Sequence, residues 1–190
     1  MESIIEKQKS VYETMKEEFS YSNVMQAPKL DKVIISVGVG KTRADKRKIE
    51  VIQQNLAKIT GQKAAERIAK KSIASFKVRE GQLAGFQTTL RGKRMKDFVD
   101  RLVNTALPRT RDFRGLKTTV DAMGNYTIGI KDNSIFPEVA DQDLRDAFGM
   151  SIIIVTTSTS GDETRAYLRH LGFPLKKVDE PKKKKTFKKK

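Results

Sequence analysis

Three groups of side chains have types and spacings that could do chemistry. Gly40, Lys41 and Thr42 follow a Val/Ile-rich run and look like the end of a phosphate-binding loop, whose backbone amides cradle phosphates while its lysine reaches the terminal one. That pattern needs a glycine five residues before Gly40, and Ile35 stands there. Asp45 also postpones the helix that should begin at the lysine, so a strand-ending turn on a basic surface fits better. Asp141, Asp143 and Asp146 could hold a divalent cation but lack the ligand spacing and central glycine of a calcium loop; helix-start solvation accounts for them. The third group is richer. In residues 70–79, Lys70, Lys71, Lys77 and Arg79 surround Phe76, with Ser72 and Ser75 between them. Lysine and arginine neutralise phosphates, hydroxyls add hydrogen bonds and a phenyl ring stacks on an unpaired base, although a solvated loop has the same composition.

Composition removes other chemistries. The 190 residues include no Cys, no Trp and one His, His170, so disulfides, thiolate zinc sites, cysteine nucleophiles and clustered histidine ligands are excluded. Neither a metal nor a cofactor is expected. With 39 Lys+Arg against 23 Asp+Glu the formal net charge is +16, and nucleic acid is the first candidate to meet it. The surplus is concentrated: residues 29–117 hold 23 basic and 8 acidic side chains, whereas residues 118–175 hold 4 and 8. Residues 176–190 carry 9 lysines against Asp179 and Glu180, with almost nothing to bury. They read as a disordered, lysine-rich tail that supplies counter-charge to phosphates. No apolar run approaches the roughly 18 residues of a membrane span, so no membrane partner is expected. The first residues lack the basic and apolar regions of a secretory signal, and a cytoplasmic protein is expected.

These groups need a scaffold. Residues 3–20 predict an amphipathic helix carrying Ile4, Val11, Met15 and Phe19 on one side. Residues 29–37 predict a strand; Asp45 caps a helix over 46–59 that Gly61 stops. Residues 62–85 read as a long basic loop or hairpin, 86–91 as a strand and 93–105 as a helix ended by Leu107 and Pro108. Arg109, Arg111, Phe113 and Arg114 belong to a second basic loop, followed by strands at 126–130 and 151–157 and a last helix at 162–171 before Gly172. Helices and strands intermix without regular βα alternation. The expected fold is therefore α+β, a two-layer arrangement of a mainly antiparallel sheet with helices on one face and an N-terminal helix. One domain over 1–175 and a tail over 176–190 follow, with no internal repeat.

Motifs in one order sharpen the reading. Gly38-Val39-Gly40, Thr60-Gly61-Gln62-Lys63, Lys71-Ser72-Ile73-Ala74, Phe76-Lys77-Val78-Arg79, Thr89-Leu90-Arg91-Gly92, Arg111-Asp112-Phe113-Arg114-Gly115, Gly124-Asn125-Tyr126, Ile135-Phe136-Pro137-Glu138 and Leu171-Gly172-Phe173-Pro174 stand in sequence. Together they closely resemble the 5S-rRNA-binding family of bacterial large-subunit ribosomal proteins, the fifth protein of that subunit. The resemblance covers about residues 1–175 and leaves out the lysine tail. It implies a non-catalytic constituent of the large subunit that binds 5S rRNA, helps attach it to 23S rRNA beside other proteins of the central protuberance, touches P-site tRNA and bridges to a protein of the small-subunit head. Carried over residue by residue, it implies rRNA contacts at Ser36, Gln62, Phe76, Arg79, Thr89 and Arg91. It further implies a tRNA-facing loop over 70–81 with Lys70, Lys71, Ser72 and Lys77, and an intersubunit face with Arg109, Arg111, Phe113 and Arg114. The chain departs from the family where Ser36 replaces a usual Asn, Ser75 a usual Gly and Ala64 a usual Pro. A hydroxyl cannot supply an amide's paired donor and acceptor.

Two rival classes remain distinguishable. An NTP-dependent RNA-acting enzyme would use Gly40, Lys41 and Thr42 and would bind nucleotide as the pure protein. A nonspecific nucleic-acid-binding protein would exchange RNA for duplex DNA freely.

Overall fold

The computed structural model describes residues 4–40, 42, 45–111, 113–139, 141 and 146–176. Lys41, Asp112, Asp143 and the tail over 177–190 lie outside the described residues.

The Val/Ile run forms β1 (Leu30–Gly38), the middle strand of five. On one side of it lie β3 (Leu83–Leu90) and then β2 (Ala65–Ile68); on the other lie β5 (Met150–Thr156) and then β4 (Tyr126–Ile130). Every neighbouring pair is antiparallel. Because side chains alternate along a strand, one face collects Val33, Ile35, Val37, Phe86, Leu90, Ile128, Ile152 and Ile154, all buried. The other face carries Ile34, Ser36, Gln87, Thr89, Thr127, Ser151 and Ile153, which are half-buried or exposed.

Four helices bury their apolar stripes in the same core as the first of these faces. Helix α1 (Ile4–Phe19) contributes Ile4, Val11 and Met15. Helix α2 (Lys46–Thr60) begins at Asp45, whose carboxylate accepts Lys48 N at 3.3 Å, and buries Ile52, Leu56 and Ile59. Helix α3 (Gly92–Arg101) widens into a π-helical turn (Leu102–Ala106) before Pro108, which has no N–H to continue the ladder. Its Phe98 stacks on Phe136 with ring centroids 6.0 Å apart. Helix α4 (Gly161–Leu171) is capped by Ser160, which accepts Glu163 N at 3.2 Å, and stops at Gly172, where φ is +97°.

Polar staples lock α1 to α4. Lys7 Nζ donates to Leu171 O at 3.2 Å, and His170 Nε2 lies 2.8 Å from Lys7 O, so that nitrogen carries the proton. After α1, Tyr21 donates to buried Glu163 at 2.5 Å, and the same carboxylate accepts Thr159 N at 2.9 Å. Burial, and then Glu163, push the Tyr21 phenol well above its ordinary value.

The α+β, antiparallel expectation therefore holds, with local shifts. The strand expected from residue 86 begins at Leu83, and the segment expected as a basic loop or hairpin is a hairpin, with β2 as its first strand. Helix α3 starts one residue earlier than expected, and its end is π-helical rather than α-helical.

Candidate nucleic-acid interface

Five of the six rRNA residues expected from the resemblance fall into two separate groups, one at the open sheet face and one on the hairpin beside it. The first is built at the end of α2. Gly61 adopts φ +67°, a conformation that costs glycine little, and donates its N–H to Ala57 O at 2.8 Å. Thr60 Oγ1 lies 2.9 Å from Gln62 O, closing the turn that lays Gln62 against β3. There Gln62 Nε2 reaches Thr89 O at 3.5 Å, the limit of a hydrogen bond. Thr89 pairs with Ile34 and Ser36 with Gln87, so Ser36 and Thr89 are diagonal neighbours on one face. All three side chains are uncharged and half-buried.

The second group rides on the connection between β2 and β3. Reciprocal bonds between Ile73 and Val78 at 2.9 and 3.2 Å close its tip, and Ala69 N donates to Gln82 O at 2.8 Å. Ser72 Oγ accepts Glu80 N at 3.0 Å, and Gln82 Oε1 accepts Arg79 N at 3.0 Å. Lys77 takes a left-handed conformation at φ 51° just after a single 3-10 turn over Ala74–Phe76. This is a braced projection. It exposes Lys70, Lys71, Lys77 and Arg79 together with Phe76, which is 71% exposed, beside Ile68 and Ile73. An exposed phenyl ring among cations is suited to stacking on an unpaired base. Thr89 and Leu83 are six residues apart on an extended strand, about 20 Å, so one nucleotide cannot touch both groups.

Arg91, also expected among the rRNA contacts, pairs its exposed guanidinium with the exposed carboxylate of Asp31 at 2.9 Å. That partner lies sixty residues away, and nothing in the local sequence signals it. In the second basic loop Arg109, Arg111 and Arg114 are exposed, while Phe113 packs against the core and anchors the loop. Leu116 N donates to Pro174 O at 2.8 Å and Lys176 N to Leu116 O at 2.9 Å, tying this loop to the end of the described chain.

The phosphate-loop rival fares poorly on its own ground. Thr42 N donates to Val39 O at 3.1 Å and Asp45 N to Thr42 O at 3.0 Å, a succession of turns. The α2 N-terminus that a phosphate would need already faces the Asp45 carboxylate, an anion of its own. A cavity of about 440 Å³ nearby is lined by Gly38, Gly40, Thr42, Lys48, Asp146 and Phe148 among others. Among the described residues no three metal-ligating side chains gather, and no helix is long and apolar enough to cross a membrane.

Sequence comparison supplies the family. A model described as ribosomal protein L5 matches residues 23–79, and a companion model for the C-terminus of the same ribosomal family matches residues 83–175. The two meet in the β2–β3 hairpin, yet β1 from the first inserts between β3 and β5 from the second. The large ribosomal subunit protein uL5 of Flavobacterium johnsoniae is 48% identical over 168 residues, 88% of this chain and 92% of that protein. Its namesake in Alkaliphilus metalliredigens is 48% identical over 164 residues, 86% of this chain and 92% of that protein. With both halves matched and the relatives aligned across nearly their whole length, the chain belongs to the ribosomal protein L5 family.

Proposed function

We propose that the open sheet face and the braced hairpin bind 5S rRNA and help attach it to 23S rRNA in the central protuberance. The coarser statement follows from family membership: the chain is a structural, non-enzymatic constituent of the large ribosomal subunit. One observation carries the finer reading. Ser36 and Thr89 are diagonal neighbours on the sheet face away from the helices, Gln62 reaches the main chain of Thr89 from the turn after α2, and the basic hairpin with exposed Phe76 projects from the strand that carries Thr89. Uncharged donors and acceptors on a rigid sheet can read RNA groups specifically, while Arg79 and the hairpin lysines neutralise phosphates.

In the same reading the tip with Lys70, Lys71, Ser72 and Lys77 faces P-site tRNA. Arg109, Arg111 and Arg114 face the small-subunit head, with Phe113 holding their loop in place. Residues 1–175 act as one unit and 176–190 as a lysine-rich extension. Identification of the RNA that copurifies with the full chain tests the proposal. 5S rRNA as the dominant species is expected; a random cellular RNA pool, or ready displacement by duplex DNA, would overturn it.

A further inference from the structure

The stretch of sheet between the two groups holds a cation that no family motif singled out. Strand β2 pairs Ala65 with Gln87 and Arg67 with Gly85, so Arg67 and Gln87 are diagonal neighbours on the open face. No side chain stands across from Arg67, because Gly85 is forced: a Cβ there would run into Val37 O. Arg67 Nε donates to Gln87 Oε1 at 2.6 Å, and Gln87 in turn stands opposite Ser36.

The contrast with other arginines is informative. Arg91 pairs with Asp31, Arg101 with Glu138 and Arg165 with Asp162, each an acid that consumes charge. Arg67 is instead exposed and held by a neutral amide, and among the described residues no carboxylate forms an ion pair with it. An amide acceptor fixes the direction of the guanidinium without neutralising it. The bond uses only Nε and leaves both terminal nitrogens with N–H donors in a planar fork, the geometry that grips a phosphate with two parallel bonds.

We propose that Arg67, oriented by Gln87, binds a backbone phosphate of the RNA as it passes from the Ser36–Gln62–Thr89 corner to the hairpin tip. The inference rests on the RNA-binding reading above, and it supplies what the two separated groups lack, a fixed positive charge along the path between them. Gln87 is a positioning residue: it acts on RNA through Arg67.

Filter binding of the full chain to a 5S rRNA transcript over a KCl series tests this, with thermal melting to confirm equal folding. Arg67→Ala is expected to bind roughly tenfold or more weakly and to flatten the slope of log K against log salt by about 0.7 to 0.9, one phosphate's worth. Gln87→Ala should lose several-fold in affinity with the slope unchanged, and the double variant should bind no more weakly than Arg67→Ala. Arg67→Lys keeps the charge but not the fork, so the slope stays and the affinity falls. Wild-type affinity and slope in Arg67→Ala would overturn the proposal, as would fully independent losses in the double variant. Gln62→Ala separates the two levels: if it weakens binding while Arg67→Ala does not, only the present inference falls. If neither does, the RNA-binding reading of the face falls with it.

Discussion

The two faces of one sheet are made from alternate residues of the same strands, yet they do opposite work. Toward the helices, Ile35, Phe86, Ile152 and Ile154 are almost wholly removed from water and hold the fold together. On the other face Ser36, Gln87, Thr89 and Ser151 are small or polar and stay half-buried, so they contribute little to the core. A one-residue slip in register would exchange these roles, which is why the buried alternation in β1 fixes where the open-face polar groups point.

Four substitutions, with Ser36→Ala as the reference on the open face, test that division, from the largest expected effect to the smallest. Phe98→Ala removes a ring stacked on Phe136 in the core and should cost about 3–5 kcal/mol in urea unfolding, whereas Ser36→Ala should stay within about 0.5 kcal/mol. Comparable losses from both would erase the distinction between the faces. Tyr21→Phe leaves buried Glu163 without its phenol donor and should cost about 1–3 kcal/mol, with RNA affinity per folded molecule unchanged. Asp45→Ala, which strips the cap from α2, should cost about 1 kcal/mol by the same measurement. Asp31→Asn should shift stability by no more than about 1 kcal/mol, because its pair with Arg91 is exposed. It should nonetheless tighten RNA binding by freeing Arg91; unchanged affinity would place Arg91 outside the interface.

Alkaline pH probes the buried phenols of the helix side. Burial pushes Tyr126 up to about 12 from an ordinary value of 10.0 and raises Tyr167 further. In the unfolded chain these phenols ionise near pH 10, before they do in the fold, so the unfolded state binds fewer protons there and stability falls as pH rises. Stability should be insensitive to these groups below pH 10 and decline between pH 10 and 12, as followed by urea midpoints.

Much of this was legible in the sequence where a physical signal is local. Asp45 and Gly61 bracket α2 because capping chemistry acts within one turn, and the Val/Ile alternation of β1 reports its buried side directly. Residues 62–85 read as a loop or a hairpin, and the sequence alone does not choose between them: Ala65-Glu66-Arg67-Ile68 is short, exposed and has no apolar alternation, so only pairing with β3 makes it a strand. The same holds for the site. Phe76 and the hairpin cations are one continuous segment, whereas the Asp31–Arg91 pair, the Arg67–Gln87 brace and the partial burial of Phe113 depend on contacts across the fold. Charge density points to a segment; tertiary pairing decides which of its charges lack a carboxylate partner.

The most direct test of the central claim, that uncharged groups on the open face read 5S rRNA, is a filter-binding titration of wild type, Gln62→Ala and Thr89→Ala at several KCl concentrations. Neither substitution removes a charge, so both should weaken 5S rRNA binding while leaving the salt slope nearly unchanged. Wild-type affinity in both variants would contradict the account.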